Sequence, residues 1–272
     1  MKIINLVEDT KGCECCNQHG LSFYIETQNH KILVDSGATG MFIRNAEMLG
    51  VDLTQIDTAI LSHGHYDHSG GLLEFAKINP NAKIYVTNSV GEDYYRVSPG
   101  VEKYIGIDKN ILNLPQIIKV SEDTQLDDEL FLFMGFDEKR YPTWSNQALK
   151  QKVGNSFVQD SFDHEQCLVI KQNESRILLS GCAHNGILSI LDRYYKLLGS
   201  YPNIVVSGFH MMKNSDYTNA EIEYIKQTAY ELSQTKALFY TGHCTGDKAF
   251  DIMKEIMGEK LHKLYSGFQF EF

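Results

Sequence analysis

Apolar residues along this chain come in short blocks, each cut off by glycine or a polar turn, with helix-spaced stretches between them. Residues 21–27 and 31–34 read as strands joined by the polar turn Gln28-Asn29-His30. Asp35-Ser36-Gly37 ends the second of these, and a helix is expected over about 40–49. A short buried strand over 58–61 runs straight into Ser62-His63-Gly64-His65. The apolar spacing of 70–78 predicts a helix stopped by Asn79-Pro80, and 83–87 is another strand. The aromatic-rich stretch 88–115 fits neither period and is expected to be an insertion or lid within a single domain over 1–272.

The second half repeats the style without repeating the sequence. Strands at 167–171 and 176–179 form an expected hairpin that ends in Gly181-Cys182-Ala183-His184. A helix follows over 186–198, with Ile187, Ile190, Leu191, Tyr194 and Leu198 near one face. The strand 204–206 ends in Gly208-Phe209-His210, a helix spans 219–234, and the strand 237–240 ends in Gly242-His243-Cys244. A helix near 247–257 and a strand near Lys263 complete the chain. Four apolar strands thus end in a glycine-containing turn that carries a histidine. Function in α/β proteins gathers at strand ends, so the four turns are expected to converge.

Composition narrows the partners. With 43% hydrophobic and 22% charged residues, 272 residues can build an ordinary core. The formal net charge of −10 argues against a nucleic-acid partner, which needs many Lys and Arg contacts, but leaves room for a small anionic molecule. No basic-then-apolar leader and no long apolar run are visible, so the expectation is a cytoplasmic protein without a membrane partner. The oligomeric state is not legible. Six cysteines, at 13, 15, 16, 167, 182 and 244, are unevenly placed and expected to be reduced. Cys13, Cys15 and Cys16 with His19 lack the second ligand pair of a zinc knuckle.

The chemistry concentrates in His63-Gly64-His65-Tyr66-Asp67-His68. Three of the chain's 10 histidines and one aspartate fall within six residues, supplying the nitrogen and oxygen donors that Zn²⁺ and similar ions prefer. Alternate residues His63 and His65 can point the same way, and Asp67 and His68 can face a second ion. Glycines at 64, 70 and 71 permit the tight backbone this crowding needs.

This run resembles the HxHxDH signature of the metallo-β-lactamase superfamily, and Leu33-Val34-Asp35-Ser36-Gly37 resembles its earlier Asp-x-Gly motif. Within that superfamily the chain is most similar to a subgroup related to dihydropterin ribofuranosyl-aminobenzene phosphate synthases. The residues behind this are His19-Gly20-Leu21-Ser22, the run SHGHYDHSGGL over 62–72, SGCAHNG over 180–186, Gly208-Phe209-His210 and TGHCTG over 241–246.

The resemblance implies an α/β fold, an αββα sandwich of two mixed β-sheets with outer helices and metals at one edge. It implies two divalent transition-metal ions, zinc foremost with manganese or iron as alternatives. The implied ligands are His63, His65, Asp67, His68, His184 and His243, with Cys182 where relatives usually carry a bridging aspartate. Cys182 can equally be a buried inert thiol, and His164, just before the strand at Cys167, competes with His184 for the first site. Asp35 is expected to orient a ligand histidine or shape the turn. His19 either projects toward the site or is a plain loop residue. Asp67 would orient the nucleophile and His210 would protonate the leaving group. The implied reaction is metal-assisted hydrolysis of a small anionic phosphoester or other ester, in which the ions make water a nucleophile near neutral pH. A synthase-like step on a pterin or phosphoribosyl compound, with aromatic residues near 94–104 and 141–144 stacking on a ring, is one alternative. A non-catalytic ligand or redox sensor is the other.

Overall fold

Alternation along each strand sorts the chain into layers. In the computed structural model, which describes residues 1–12, 14–136, 140 and 143–272, Ile32 and Val34 point into one core and Leu33, between them, into another. Ile177 and Leu179 part from Leu178 in the same way, as do Ile204 and Val206 from Val205. Successive Cβ atoms leave a strand on opposite faces, so a strand apolar at every position must be covered on both sides.

The chain begins with β1 (Lys2–Val7), β2 (Ser22–Glu26), β3 (Lys31–Val34), helix α1 (Met41–Met48) and β4 (Thr58–Ile60). Two short helices, α2 (Tyr66–Ser69) and α3 (Leu72–Ile78), precede β5 (Lys83–Thr87). A hairpin of β6 (Tyr94–Ser98) and β7 (Val101–Tyr104) leads to β8 (Ile117–Val120), β9 (Thr124–Gln125) and β10 (Leu130–Phe133). After α4 (Thr143–Asn146) comes a second hairpin, β11 (Leu149–Val153) and β12 (Ser156–Gln159), then β13 (Cys167–Gln172) and β14 (Ser175–Leu179). The remainder is α5 (Ile187–Leu198), β15 (Ile204–Val206), α6 (Asn219–Ser233), β16 (Leu238–Thr241), α7 (Asp247–Met257), β17 (Leu261–Lys263) and β18 (Gln269–Glu271).

These strands form two seven-stranded mixed sheets, in the orders β18-β1-β2-β3-β4-β5-β8 and β17-β16-β15-β14-β13-β10-β9. Each has a parallel half (β3-β4-β5-β8 and β14-β15-β16-β17) and an antiparallel half. The sheets pack face to face over a core that includes Ile3, Phe23, Ile25, Ile60, Leu132, Leu168 and Ile170. Helices α1 and α3 cover one outer face and α5, α6 and α7 the other. The fold is the expected αββα sandwich.

The two hairpins pair into a third, four-stranded antiparallel sheet, β12-β11-β6-β7. Residues 88–115, whose pattern suggested an insertion or lid, supply half of it. None of β1, β6 to β12 or β18 was anticipated. Strands such as LKQKV in β11 carry polar residues on both faces, and nothing in their spacing separates them from loop. The expected helix over 70–78 is shorter and starts at Leu72, because α2 takes up residues 66–69 in a separate turn. No helix among the described residues is long and apolar enough to cross a membrane.

Two substitutions separate the contributions to stability. Phe23, fully buried between the sheets, should cost about 3–5 kcal/mol on truncation to alanine. Thr218→Ala removes the capping box at the start of α6, where Thr218 accepts from the Glu221 amide, and should cost about 1 kcal/mol. Urea denaturation of both variants measures the difference, and equal losses would contradict this division of the core.

Candidate metal centre

The parallel strands of both sheets deliver their C-terminal turns to one edge, and those turns are strained in the same way. Of the six described non-glycine residues with positive φ, four follow a parallel strand: Asp35 (59°), Ala183 (51°), His210 (49°) and His243 (48°). The left-handed conformation costs a residue with a Cβ on the order of 1–2 kcal/mol, and such strain tends to collect where a site is being shaped.

Asp35 is the best connected of the four. Its carboxylate is buried and accepts from the Ser62 amide (2.7 Å), the Ser62 hydroxyl (2.7 Å) and His68 Nδ1 (2.6 Å). Because the Ser62 hydroxyl spends its proton on Asp35, it accepts from His63 Nδ1 at 2.9 Å. One carboxylate therefore sets the tautomers of two histidines, leaving the Nε2 lone pairs of His63 and His68 turned inward. The loop stays tight because Gly70 lies against the Ala38 carbonyl, where any Cβ would collide.

The second sheet supplies the opposing groups. The Asn146 side-chain amide donates to the His184 carbonyl (2.8 Å), so its Oδ1 is the atom facing His184 Nδ1 (3.3 Å). That leaves His184 Nε2 as a lone pair pointing at His63 Nε2, 3.3 Å away. His68 Nε2 faces the Cys182 sulfur at 3.1 Å. His243 Nδ1 donates to Asp9 (2.6 Å), and its Nε2 stands 3.4 Å from the Asp67 carboxylate. His65 Nε2 and His243 Nε2 are buried without a hydrogen-bond partner among the described residues. Electron-rich atoms aimed at one another are repulsive unless a cation lies between them, so this donor set suits metal ions. Ligand atoms of His63, Cys182 and His184 lie within 4.8 Å of one another, and so do those of His68, Cys182 and His243.

A proton cannot relieve every contact. Burial and neighbouring imidazoles hold His63 and His184 well below the usual histidine range, and the same causes bring His65 down to about 3. These rings are neutral, the form that ligates a cation. His243 differs: burial opposes its charge, but Asp67 and Asp9 outweigh it and push the ring's basicity well up. Burial works against the Asp67 carboxylate too, yet His243 and His68 hold it far below the usual range. Burial raises the Cys182 thiol well above its ordinary value.

His63, His65, Asp67, His68, Cys182, His184 and His243 line one buried cluster. His210 is half-buried beside it, its ring 4.1 Å from that of His184. His19 is exposed at the rim, its Nδ1 2.8 Å from Asp9 and its Nε2 3.4 Å from Asp67. His164 is buried nearby, but its Nδ1 accepts from the Gly64 amide (2.9 Å) and its Nε2 faces Asp160 (3.2 Å). Both of its nitrogens are thereby engaged. Among the aromatic residues expected to stack on a ring, Tyr94 is buried against His164 and Trp144 packs on Tyr217 and Tyr224, while 141 and 142 lie outside the described residues. Cys13 also lies outside them.

Four carboxylates escaped the sequence reading. Asp9 accepts from His243 and His19, and Glu8 accepts the His243 amide. Glu165 accepts the amides of His184 (2.7 Å) and Asn185 (2.9 Å), holding the strained turn at Ala183. Asp160 faces His164. The signal for the first pair was available, since the apolar run IINLV ends in Glu8-Asp9 as the other strands end in their histidines.

Comparison with known proteins fits this geometry. The metallo-beta-lactamase superfamily model matches residues 18–144. It is 29% identical, over 98% of its length and 95% of the relative's, to a 7,8-dihydropterin-6-methyl-4-(beta-D-ribofuranosyl)-aminobenzene-5'-phosphate synthase of Methanocaldococcus jannaschii. The crystal structure of Tm1679, a metal-dependent hydrolase of the beta-lactamase superfamily, superposes with a TM-score of 0.84 at 29% identity, covering 100% of this chain and 99% of that one. Zn(2+)-bound PqqB from Methylobacterium extorquens shares the fold at a TM-score of 0.61 and 11% identity, covering 100% of both chains.

The tautomer assignment is open to measurement. Long-range ¹H–¹⁵N NMR should show His63 and His68 protonated at Nδ1, and Asp35→Ala should remove that preference at both rings. The variant should also lose about 2–4 kcal/mol, since it strands buried donors that each cost on the order of 1–3 kcal/mol. A wild-type His68 protonated only at Nε2 would overturn the assignment.

Proposed function

We propose that this chain is a metal-dependent hydrolase acting on a small anionic substrate, a phosphoester or another ester, at a two-ion centre. His63, His65 and His184 would hold one ion and Asp67, His68 and His243 the other, with Cys182 a further donor to the second. The observation that carries this reading is the pair of inward lone pairs 3.3 Å apart on His63 and His184, set in a buried cluster where His68 faces Cys182 at 3.1 Å and His243 faces Asp67 at 3.4 Å. His184 is preferred over His164 because His164 would have to surrender its bond from Gly64 to ligate. Zinc suits this mixture of imidazole, carboxylate and thiolate, with manganese or iron as alternatives.

Bound ions of this kind make water nucleophilic near neutral pH and draw charge from the substrate's oxygens. The chain's own residues orient and move protons. Asp35 and Asp9 fix the rings of His68 and His243, so the inward nitrogens do not wander. Asp67 is held ionised and accepts hydrogen bonds from whatever attacks. His210, whose ring lies 4.1 Å from that of His184, would pass a proton to the leaving oxygen.

A second reading rests on the full-length similarity to the archaeal synthase: a transfer step on a pterin or phosphoribosyl compound at the same centre. A synthase should ignore generic phosphodiesters that a hydrolase turns over.

Elemental analysis of protein purified without added metal or chelator is the first test. Close to two equivalents of transition metal are expected, with at least one lost in His65→Ala. Turnover of bis(p-nitrophenyl) phosphate should accompany the metal, disappear on chelation, and fall roughly 10²–10⁴-fold in His210→Ala. Protein that carries no metal and takes up none on reconstitution would refute the two-ion centre, and metal without phosphodiester turnover would favour the synthase.

A further inference from the structure

The third sheet turns one face toward the metal centre. On β6 that face carries Tyr94, Arg96 and Ser98, since alternate residues point the same way. Tyr94 shows where it looks: its ring lies 4.1 Å from that of His164 and 6.1 Å from that of His65. Arg96 stands two residues farther along the same face, roughly 7 Å on. Directly opposite it in the antiparallel register is Lys103 of β7. The Lys103 ammonium sits 4.8 Å above the Tyr66 ring and 3.4 Å from its hydroxyl, and Tyr66 lies between His65 and Asp67. The Tyr66 amide donates to the Ile105 carbonyl (2.9 Å), tying the hairpin to the histidine loop.

Arg96 and Lys103 are both exposed, and neither forms an ion pair among the described residues. Like charges directly opposite on one face of a sheet repel. In a chain with 35 carboxylates against 25 basic side chains, two facing cations without a counter-charge stand out. The Arg96 charge is also felt at the centre, where it adds to the burial and the histidine neighbours that lower His210.

We infer that Arg96 and Lys103 form a clamp for an oxyanion of the substrate, phosphoryl or carboxylate, at the mouth of the metal centre. An oxyanion between them would cancel the repulsion. Arginine offers a planar fork that matches either group through two parallel N–H bonds, and lysine adds a point charge from the facing strand. The inference rests on the proposed action on a small anionic substrate and names which residues select the charge.

Calorimetric titration of the protein as purified, with inorganic phosphate and separately with acetate, tests it. Phosphate or acetate should bind to wild type, and the tighter of the two identifies the group. Arg96→Ala and Lys103→Ala should each weaken that anion ~10-fold or more, as expected for loss of a charge-assisted hydrogen bond, while Arg96→Lys keeps part of the affinity. Lys152→Ala, on the opposite face of the same sheet over Tyr95 and Phe157, should stay within about twofold, because general charge alone is not the clamp. Both clamp residues are exposed, so the variants should melt as wild type does. Wild type that binds neither anion, clamp variants that titrate like wild type, or a Lys152→Ala loss of equal size would overturn the inference. Metal content read on the same samples keeps the two ideas apart: absent metal undermines the hydrolase, whereas unaltered anion binding in the variants removes only the clamp.

Discussion

The carboxylate of Asp35 is buried and accepts three hydrogen bonds, from the amide and hydroxyl of Ser62 and from His68. A buried anion is costly unless its lone pairs are satisfied, so the turn after β4 is held to the geometry that satisfies it. That geometry orients His68 directly and His63 through Ser62. Asp9 does the same for His243 and His19 from the end of β1. Asp35 and Asp9 thus each commit one nitrogen of the histidine they touch and leave the other turned inward.

Strain and topology act together at the same edge. Parallel strands deliver their ends to one side of each sheet, and stacking two such sheets brings two sets of ends into contact. Asp35, Ala183, His210 and His243 adopt the left-handed conformation where the chain turns back, an expense that apolar burial over the whole sandwich can carry. The third sheet then stands beside the centre, with Tyr94 against the histidines and an unneutralised cationic pair farther out. The chain's acidic total says nothing of these two basic side chains facing each other across β6 and β7.

Much of the frame was legible in one dimension. The strands at 31–34, 58–61, 176–179 and 204–206 are apolar at nearly every position because both faces are covered, and each ends in a turn rich in glycine or polar residues. The histidine run at 63–68 was legible because its donors are adjacent in sequence. The third sheet was not, since its strands lie half-exposed and mix polar and apolar residues on both faces. Asp9, Glu8, Asp160 and Glu165 were invisible as well: a carboxylate beside a turn resembles any surface acid until a histidine from a distant strand is brought against it.

The sequence alone determined the α/β class and the residue types able to hold a metal, because hydrophobic period and ligand chemistry are local properties. Tertiary structure alone decided which nitrogen of each ring faces inward, and that His184 rather than His164 keeps a free lone pair. It also decided that Arg96 and Lys103 share a face beside Tyr66. Those outcomes depend on distances between residues tens of positions apart, which packing sets and linear order does not encode.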